Sequence, residues 1–257
     1  MDISIIHPSK LPILRENGAI LNLALRKAKE LIEKSIASGE EITELAVDDF
    51  VRKTIESYDA IPSCLGYKGF PNSLCVSVND TLVHGIPSNR KFQNGDIVSL
   101  DCALHKNGYH VDKAITFVVG KPTMEQYRLV EAARNSLDAA IKKAVVGNTI
   151  GDIGYETFSV AKYFGYQVCR DFVGHGVGLQ FHMEPAVPNL GERRTGIKIP
   201  EGLCIAIEPM LFAGSNVIKT LPDKWTVKSV DGQITAHCED TVYITRNGPI
   251  IVTRQEI

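Results

Sequence analysis

Residues 94–101 read N-G-D-I-V-S-L-D, and residues 201–208 read E-G-L-C-I-A-I-E. Each is a glycine followed by a short apolar run that ends in a carboxylate, with Gly95 over Gly202 and Asp101 over Glu208. Runs of this kind between turn residues predict buried strands. The surroundings repeat as well. Helical periodicity covers 14–37 (Leu21, Ala24, Leu25, Ala28, Ile32) and closes at Ser38-Gly39, and a second helix fits 43–58. Short β-branched runs broken by Gly, Pro and Asn follow over 61–118. Then Thr123 caps a long helix through Val146, ended by Gly147, with Gln126 completing a capping box. A shorter helix fits 151–164, and strands run to the C-terminus. The helical copies register at an offset of 108 residues: Gly39 on Gly147, Ile42 on Ile150, Phe50 on Phe158, Tyr58 on Tyr166.

The expected fold class is therefore α+β, with two pseudo-symmetric halves, each a helix pair plus an antiparallel sheet. Sheets inside and helices outside would turn the equivalent acids toward one central cavity. No Pro/Ser-rich linker separates the halves, so residues 1–257 are expected to form one domain, with halves of about 14–120 and 122–250.

Composition narrows the function classes. The formal net charge is −2, and no concentrated Lys/Arg tract is present, which argues against a nucleic-acid partner. No stretch approaches the roughly 18 apolar residues of a membrane span. The start, M-D-I-S-I-I-H-P-S-K, lacks the basic region and apolar run of an export signal, so the expected location is cytoplasmic. Six cysteines (64, 75, 102, 169, 204 and 238) scatter through apolar segments with no C-x-x-C pair, as reduced thiols packed like small hydrophobes would.

The stretch from Asp101 to Asp112 contains Asn107-Gly108 between alternating runs, a two-residue hairpin signal. That turn pairs Lys106 with Tyr109, Ala103 with Asp112, and Asp101 with Ala114. Asp101 and Asp112 then lie diagonally on one face, their backbones about 7–8 Å apart. Two acids on an interior face repel unless a cation compensates them. Glu208 and Glu239 offer two more acids in or beside apolar strands of the second half. Any one of the four alone reads most simply as a strand-end group reaching water. Four acids in two repeat-related pairs, joined by a histidine, make an O/O/O/O/N set suited to Mn, Fe, Co or Zn.

The histidine is sought in F-V-G-H-G-V-G-L-Q-F-H-M-E-P, residues 172–185. Its glycines miss the G-x-G-x-x-G spacing of a dinucleotide cradle. Glycines on both sides of His175 instead predict close backbone approach and a sharp turn. Taken alone, His175 is as readily a core histidine as a ligand.

Asp101, Asp112, His175, Glu208 and Glu239 resemble, in order and surroundings, the five metal ligands of methionine aminopeptidases. The resemblance includes C-L-G-Y-K-G-F-P-N-S at 64–73, V-H-G-I-P at 83–87, G-D-I-V-S-L-D at 95–101, G-H-G-V-G at 174–178, F-H-M-E-P at 181–185, I-E-P-M at 207–210 and W-T-V at 225–227. It spans nearly the whole chain from about residue 14. It implies the pita-bread fold and, with 22 residues between Pro185 and Glu208, the short type I form. It also implies two divalent cations (Co, Mn, Fe or Zn), with Asp112 and Glu239 bridging them. Asp101 would hold one cation, and His175 and Glu208 the other. A shared hydroxide would be the nucleophile, with Glu208 moving its proton, His182 stabilising the oxyanion and His84 contacting the scissile nitrogen. Cys64, Tyr67, Phe70, Cys75, Phe181 and Trp225 would form the methionine pocket, although one aromatic alone is more simply core.

The substrate so implied is the N-terminus of nascent polypeptides bearing a small second residue, processed by a monomer working near the ribosome. By the same rule, Met1-Asp2 of this chain would stay uncut. The competing class is an inert interaction scaffold on the same fold, but such proteins lose ligands or catalytic histidines, and all seven positions are filled here. Three residues depart from the family pattern. Val111 stands in place of a common Gly, Phe70 in place of a frequent Tyr, and Met183 in place of a Glu. Parity turns Val111 and Lys113 away from the acid face. His110 shares the Asp112 face as an outer-layer candidate, while His7, His105 and His237 receive no role.

Overall fold

The computed structural model describes residues 3–256, so the expectation about Met1-Asp2 lies outside the described residues. Four α-helices carry the outer layer: α1 (Leu11–Ser38), α2 (Glu44–Glu56), α3 (Met124–Ile141) and α4 (Ile150–Phe164). Their ends follow local chemistry. The Thr43, Thr123 and Thr149 side chains accept from the backbone N–H three residues on, and the last two complete capping boxes with Gln126 and Asp152. Gly39 and Gly165 close α1 and α4 in the left-handed region. No helix among the described residues is long and apolar enough to cross a membrane.

Two helix boundaries differ from the sequence expectation by three residues or more, while α2 ends two residues short of Tyr58 and α4 starts one before 151. α1 starts three residues before Leu14, because Pro12 is tolerated in a first turn. α3 stops at Ile141 rather than Val146. There the chain breaks into turns so that Gly147 can donate to Ile199 O and Thr149 can bridge Lys198.

The same bridges correct the register of the repeat. Thr43 bridges Lys91 in the first half and Thr149 bridges Lys198 in the second. Glu44 N donates to Arg90 O as Ile150 N does to Ile197 O. The second helices of the two halves therefore register at an offset of 106, and their bridge partners at 107, not 108. Matching Gly39 to Gly147 was misleading, since Gly39 caps a helix and Gly147 sits in the turn beyond one. The strand pair at 94–101 and 201–208 does hold its register. Gly95 and Gly202 are both left-handed, and each donates its N–H to a later strand, at Val119 O and Ile244 O.

The helices back a nine-stranded antiparallel sheet. Its main path runs Ile61–Pro62, Ile97–Lys106, Tyr109–Val118, Glu239–Thr245, Cys204–Ile207, Gly174–Gly176, Met183–Val187. The two halves join where Ala114 pairs with Glu239 and Lys113 with Asp240. The hairpin forms as Asn107-Gly108 dictates, with Lys106↔Tyr109, Ala103↔Asp112 and Asp101↔Ala114 in register. Alternation then sorts the faces. Leu100, Cys102, Leu104 and Val111 join the core under α1 and α2, while Ile205, Ile207 and Val242 join the core under α3 and α4. The opposite face carries the acids. All six cysteines are buried and unpaired.

Candidate active site

Strand pairing gathers the acids without help from loops. Asp101 and Glu239 both pair with Ala114, one from each side, so the three stand in one row across the seam of the sheet. Residues in a row share a face, and so do residues two apart on a strand. Asp112 is two from Ala114. Thr241 is two from Glu239 and pairs with Ala206, which in turn pairs with His175 and lies two before Glu208. The five residues singled out in the sequence thus share one face of one sheet. The small side chain of Ala114 leaves space among them.

The seam itself is held by a hydroxyl. Asp112 N donates to Thr241 Oγ1, which donates in turn to Asp112 O, each at 2.8 Å. On the reverse face Lys113 Nζ meets Asp240 Oδ1 at 2.6 Å, and Arg254 and Thr253 complete the partners of Asp240. Val111 is buried in the core beneath α1. Val111 and Lys113 therefore both point away from the acids, as parity predicts.

The glycines around His175 serve close approach rather than a turn. His175 lies in the Gly174–Gly176 strand, not at a bend. A Cβ on Gly174 would stand 2.4 Å from Ala206 O, and one on Gly176 2.1 Å from Glu184 O. Only glycine fits between two neighbouring strands at that spacing. The His175 Nδ1 contacts Gly176 O at 2.9 Å, which turns Nε2 toward Asp112 Oδ2 and Glu208 Oε1 at 3.6 and 3.7 Å. Burial alone would lower the His175 pKa, but the two carboxylates outweigh it and raise it.

No Lys or Arg among the described residues pairs with Asp101, Asp112, Glu208 or Glu239; the only basic groups within ion-pair reach are His175 and His237. Burial, followed by the charge of Asp112, pushes the Asp101 and Glu239 carboxyls well above their ordinary values. Glu239 Oε1 is buried with no hydrogen-bond partner. Two groups of donor atoms lie close enough to hold an ion: Asp112, His175 and Glu239, and Glu208, His237 and Glu239. Uncompensated buried carboxylates are expensive. Hard oxygen donors with imidazole suit divalent first-row cations, so the residues fit the metal that the sequence resemblance implies.

A pH prediction follows for the cation-free protein. Asp101 and Glu239 bind protons more tightly folded than unfolded, where their pKa values are near 3.8 and 4.5. Their contribution to stability is full below about pH 4 and is lost as pH rises through the raised folded values. The loss is about 1.4 kcal/mol per pH unit for each group in its titration range. Bound cations remove this penalty. The gap in melting temperature between loaded and chelator-stripped protein should therefore widen from pH 5 to pH 8. A gap that stays constant would contradict the assignment of these acids to a cation site.

All thirteen residues singled out in the sequence, namely the five above with His84, His182, Cys64, Tyr67, Phe70, Cys75, Phe181 and Trp225, line one cavity of about 410 Å³. Cys64, Phe70, Cys75 and Ala103 form a compact apolar cluster backed by Phe181 and Trp225. Phe70 meets Trp225 edge-on at 5.2 Å, and Tyr67 meets Phe181 edge-on at 4.8 Å. Met183 is buried and lines the same cavity. His84 adopts a left-handed backbone (φ 57°), and a Cβ on the following Gly85 would stand 2.1 Å from Val76 O. Strain of that kind in a non-glycine residue is concentrated at functional positions. Burial lowers the His84 pKa to about 4 and the His182 pKa to about 3, with neighbouring histidines adding to the effect.

His110 does not touch the acids. It contacts Ser63 Oγ at 2.8 Å and stacks behind Phe181 at 6.1 Å. His237 was given no role from sequence, yet its Nε2 is 3.4 Å from Glu208 Oε2 and 3.8 Å from Glu239 Oε2. The signal for it was its spacing of two from Glu239, hidden because Cys238 interrupts the strand.

Comparison with known proteins agrees with this geometry. The family model for Metallopeptidase family M24 matches residues 12–246. A methionine aminopeptidase of Clostridium acetobutylicum is 40% identical over 98% of this chain and 98% of its own. The crystal structure of the Thermotoga maritima methionine aminopeptidase superposes with a TM-score of 0.94 at 34% identity, covering 99% of this chain and all of that one. A Pyrococcus furiosus prolidase shares the fold at 24% identity (TM-score 0.78), with this chain covering 66% of it. The helix-wrapped antiparallel sheet is the pita-bread fold of these enzymes, and the chain belongs to metallopeptidase family M24, among its methionine aminopeptidases.

Proposed function

We propose that the protein is a cation-dependent methionyl aminopeptidase that removes the N-terminal methionine of nascent polypeptides when the second residue is small. The observation that carries the proposal is the meeting, in one cavity, of the acid–histidine cluster with a slot walled by Cys64, Phe70, Cys75 and Trp225. Thiols and aromatic rings give a thioether favourable sulfur contacts on several sides.

Asp112 and Glu239 would be shared by two divalent cations, with Asp101 holding one and His175 and Glu208 the other; Co, Mn, Fe and Zn all suit such donors. Divalent cations held there would supply Lewis acidity, lowering the pKa of water far enough to give a nucleophile near neutral pH and polarising the scissile carbonyl. Glu208 accepts the proton of the attacking water and passes it to the leaving amine. His182, neutral at physiological pH, donates a hydrogen bond to the carbonyl oxygen as charge develops there. His84, also neutral, contacts the scissile nitrogen. The aromatic walls exclude water, which strengthens each of these interactions. The working location is the cytoplasm, where a monomer would meet new chains at or near the ribosome.

A peptide panel tests the proposal. Met-Ala-Ser should be cleaved best, and Leu-Ala-Ser about 10- to 200-fold worse, the range a changed side chain commands in an apolar pocket. Met-Leu-Ser and acetyl-Met-Ala-Ser should resist. Equal turnover of Leu-Ala-Ser would remove the methionine specificity, and cleavage of the acetylated peptide would remove the requirement for a free amine.

A further inference from the structure

The ligand set implied by the family resemblance omits His237, but the fold delivers this side chain to the same cluster. Its backbone is fixed on both sides. Met210 pairs with it across strands, Ser99 Oγ and Thr116 Oγ1 accept from its N–H, and its carbonyl accepts from the Thr116 hydroxyl. With the main chain so held, the ring is directed inward. It is 2% exposed, and neither ring nitrogen has a hydrogen-bond partner. Buried imidazoles ordinarily satisfy at least one nitrogen, and an unsatisfied buried polar group costs about 1–3 kcal/mol.

The distances say what the missing partner is. Two donors on one cation with bonds of about 2.1 Å stand roughly 3.0–3.4 Å apart, depending on geometry. The Nε2 of His237 lies 3.4 and 3.8 Å from carboxylate oxygens of Glu208 and Glu239, and that of His175 lies 3.6 and 3.7 Å from those of Asp112 and Glu208. The two histidines thus have nearly the same relation to the acids. Both sets of spacings are longer than the 2.7–3.2 Å of a good hydrogen bond. His237, Glu208 and Glu239 also form one of the two three-donor groups of the cluster.

We propose that His237 is a further protein ligand, supplying a second imidazole to the cation pair through the group it forms with Glu208 and Glu239. The inference rests on the two-cation reading above and extends it. The donor set becomes O/O/O/O/N/N, which moves preference away from Mn²⁺ and toward the imidazole-preferring Zn²⁺, Co²⁺ and Fe²⁺.

X-ray absorption on Zn²⁺-loaded protein, with two equivalents bound, tests this directly. The wild type should show scattering from two imidazoles per cation pair and His237→Gln from one. Calorimetry should find Co²⁺ bound at least about 10-fold more weakly by the variant at one of its two sites, with Mn²⁺ affected less. Circular dichroism checks that the variant is folded; if it is not, the imidazole count of the wild type decides alone. A single imidazole in the wild type, or a variant with unchanged scattering, overturns the assignment. The hydrolase reading would survive either result, because release of methionine by the wild type judges it separately. Failure of the wild type to take up any divalent cation would end both.

Discussion

Glu239→Ala abolishes hydrolysis of Met-Ala-Ser at every cation concentration that saturates the wild type; this is the largest single effect expected. Glu239 is the central acid of the site. It pairs with Ala114 at the seam of the two halves, belongs to both three-donor groups, and carries a buried oxygen with no protein partner. Its removal takes a donor from both groups, so the remaining residues would no longer hold the cation pair in a way that could activate water. The cation-free variant should meanwhile melt no lower than the cation-free wild type, because a repelling buried carboxylate has gone. Loss of turnover without loss of apo stability separates a ligand from a packing residue. Retained activity with full metal content would refute the bridging role.

His182→Ala lowers kcat by about 10²-fold or more, the usual cost of removing one oxyanion donor, and changes KM little. The ring is well placed for that role and is held there by packing. It lies 4.1 Å from the His175 ring, 4.2 Å from the Phe181 ring and 5.0 Å from the Tyr67 ring, with Tyr67 nearly parallel to it. Its Nδ1 is buried and unpartnered. With the pKa lowered to about 3 the ring stays neutral, so it can donate a hydrogen bond without bringing a second charge beside the cations. His182→Gln, which retains a donor, should recover part of the rate. An unchanged kcat in the alanine variant would assign the ring to packing.

Sequence made the acid cluster legible because its geometry depends on pairing rules. Asn107-Gly108 sets the hairpin, the hairpin sets which side of Asp101 and Asp112 faces inward, and the repeat supplies Glu208 by analogy with Asp101. Helix starts were legible at Thr43 and Thr123, where capping is local, whereas the equivalent cap at Thr149 was passed over by an expected start at residue 151. The end of α3 was not, since a tertiary bridge at Thr149–Lys198 pulls the chain out of the helix. The same bridges, absent from any local pattern, fix the helical offset at 106 and that of the bridge partners at 107. The pocket assembles from residues 64–75, 84, 181 and 225, segments that no periodicity connects, so only the family resemblance could bring them together in advance. His237 escaped because its strand ends one residue before that of Glu239 begins, and alternation cannot be trusted across such a break.

The central claim is that this chain removes an N-terminal methionine only with a divalent cation in the acid cluster. The most direct measurement is the release of free methionine from Met-Ala-Ser by chelator-stripped protein, before and after Mn²⁺, Fe²⁺, Co²⁺ or Zn²⁺ is restored one at a time. The prediction is no release from the stripped protein and release restored by at least one cation, with Met-Leu-Ser left intact throughout. Release that persists in folded, fully stripped protein, or none with any cation, would contradict it.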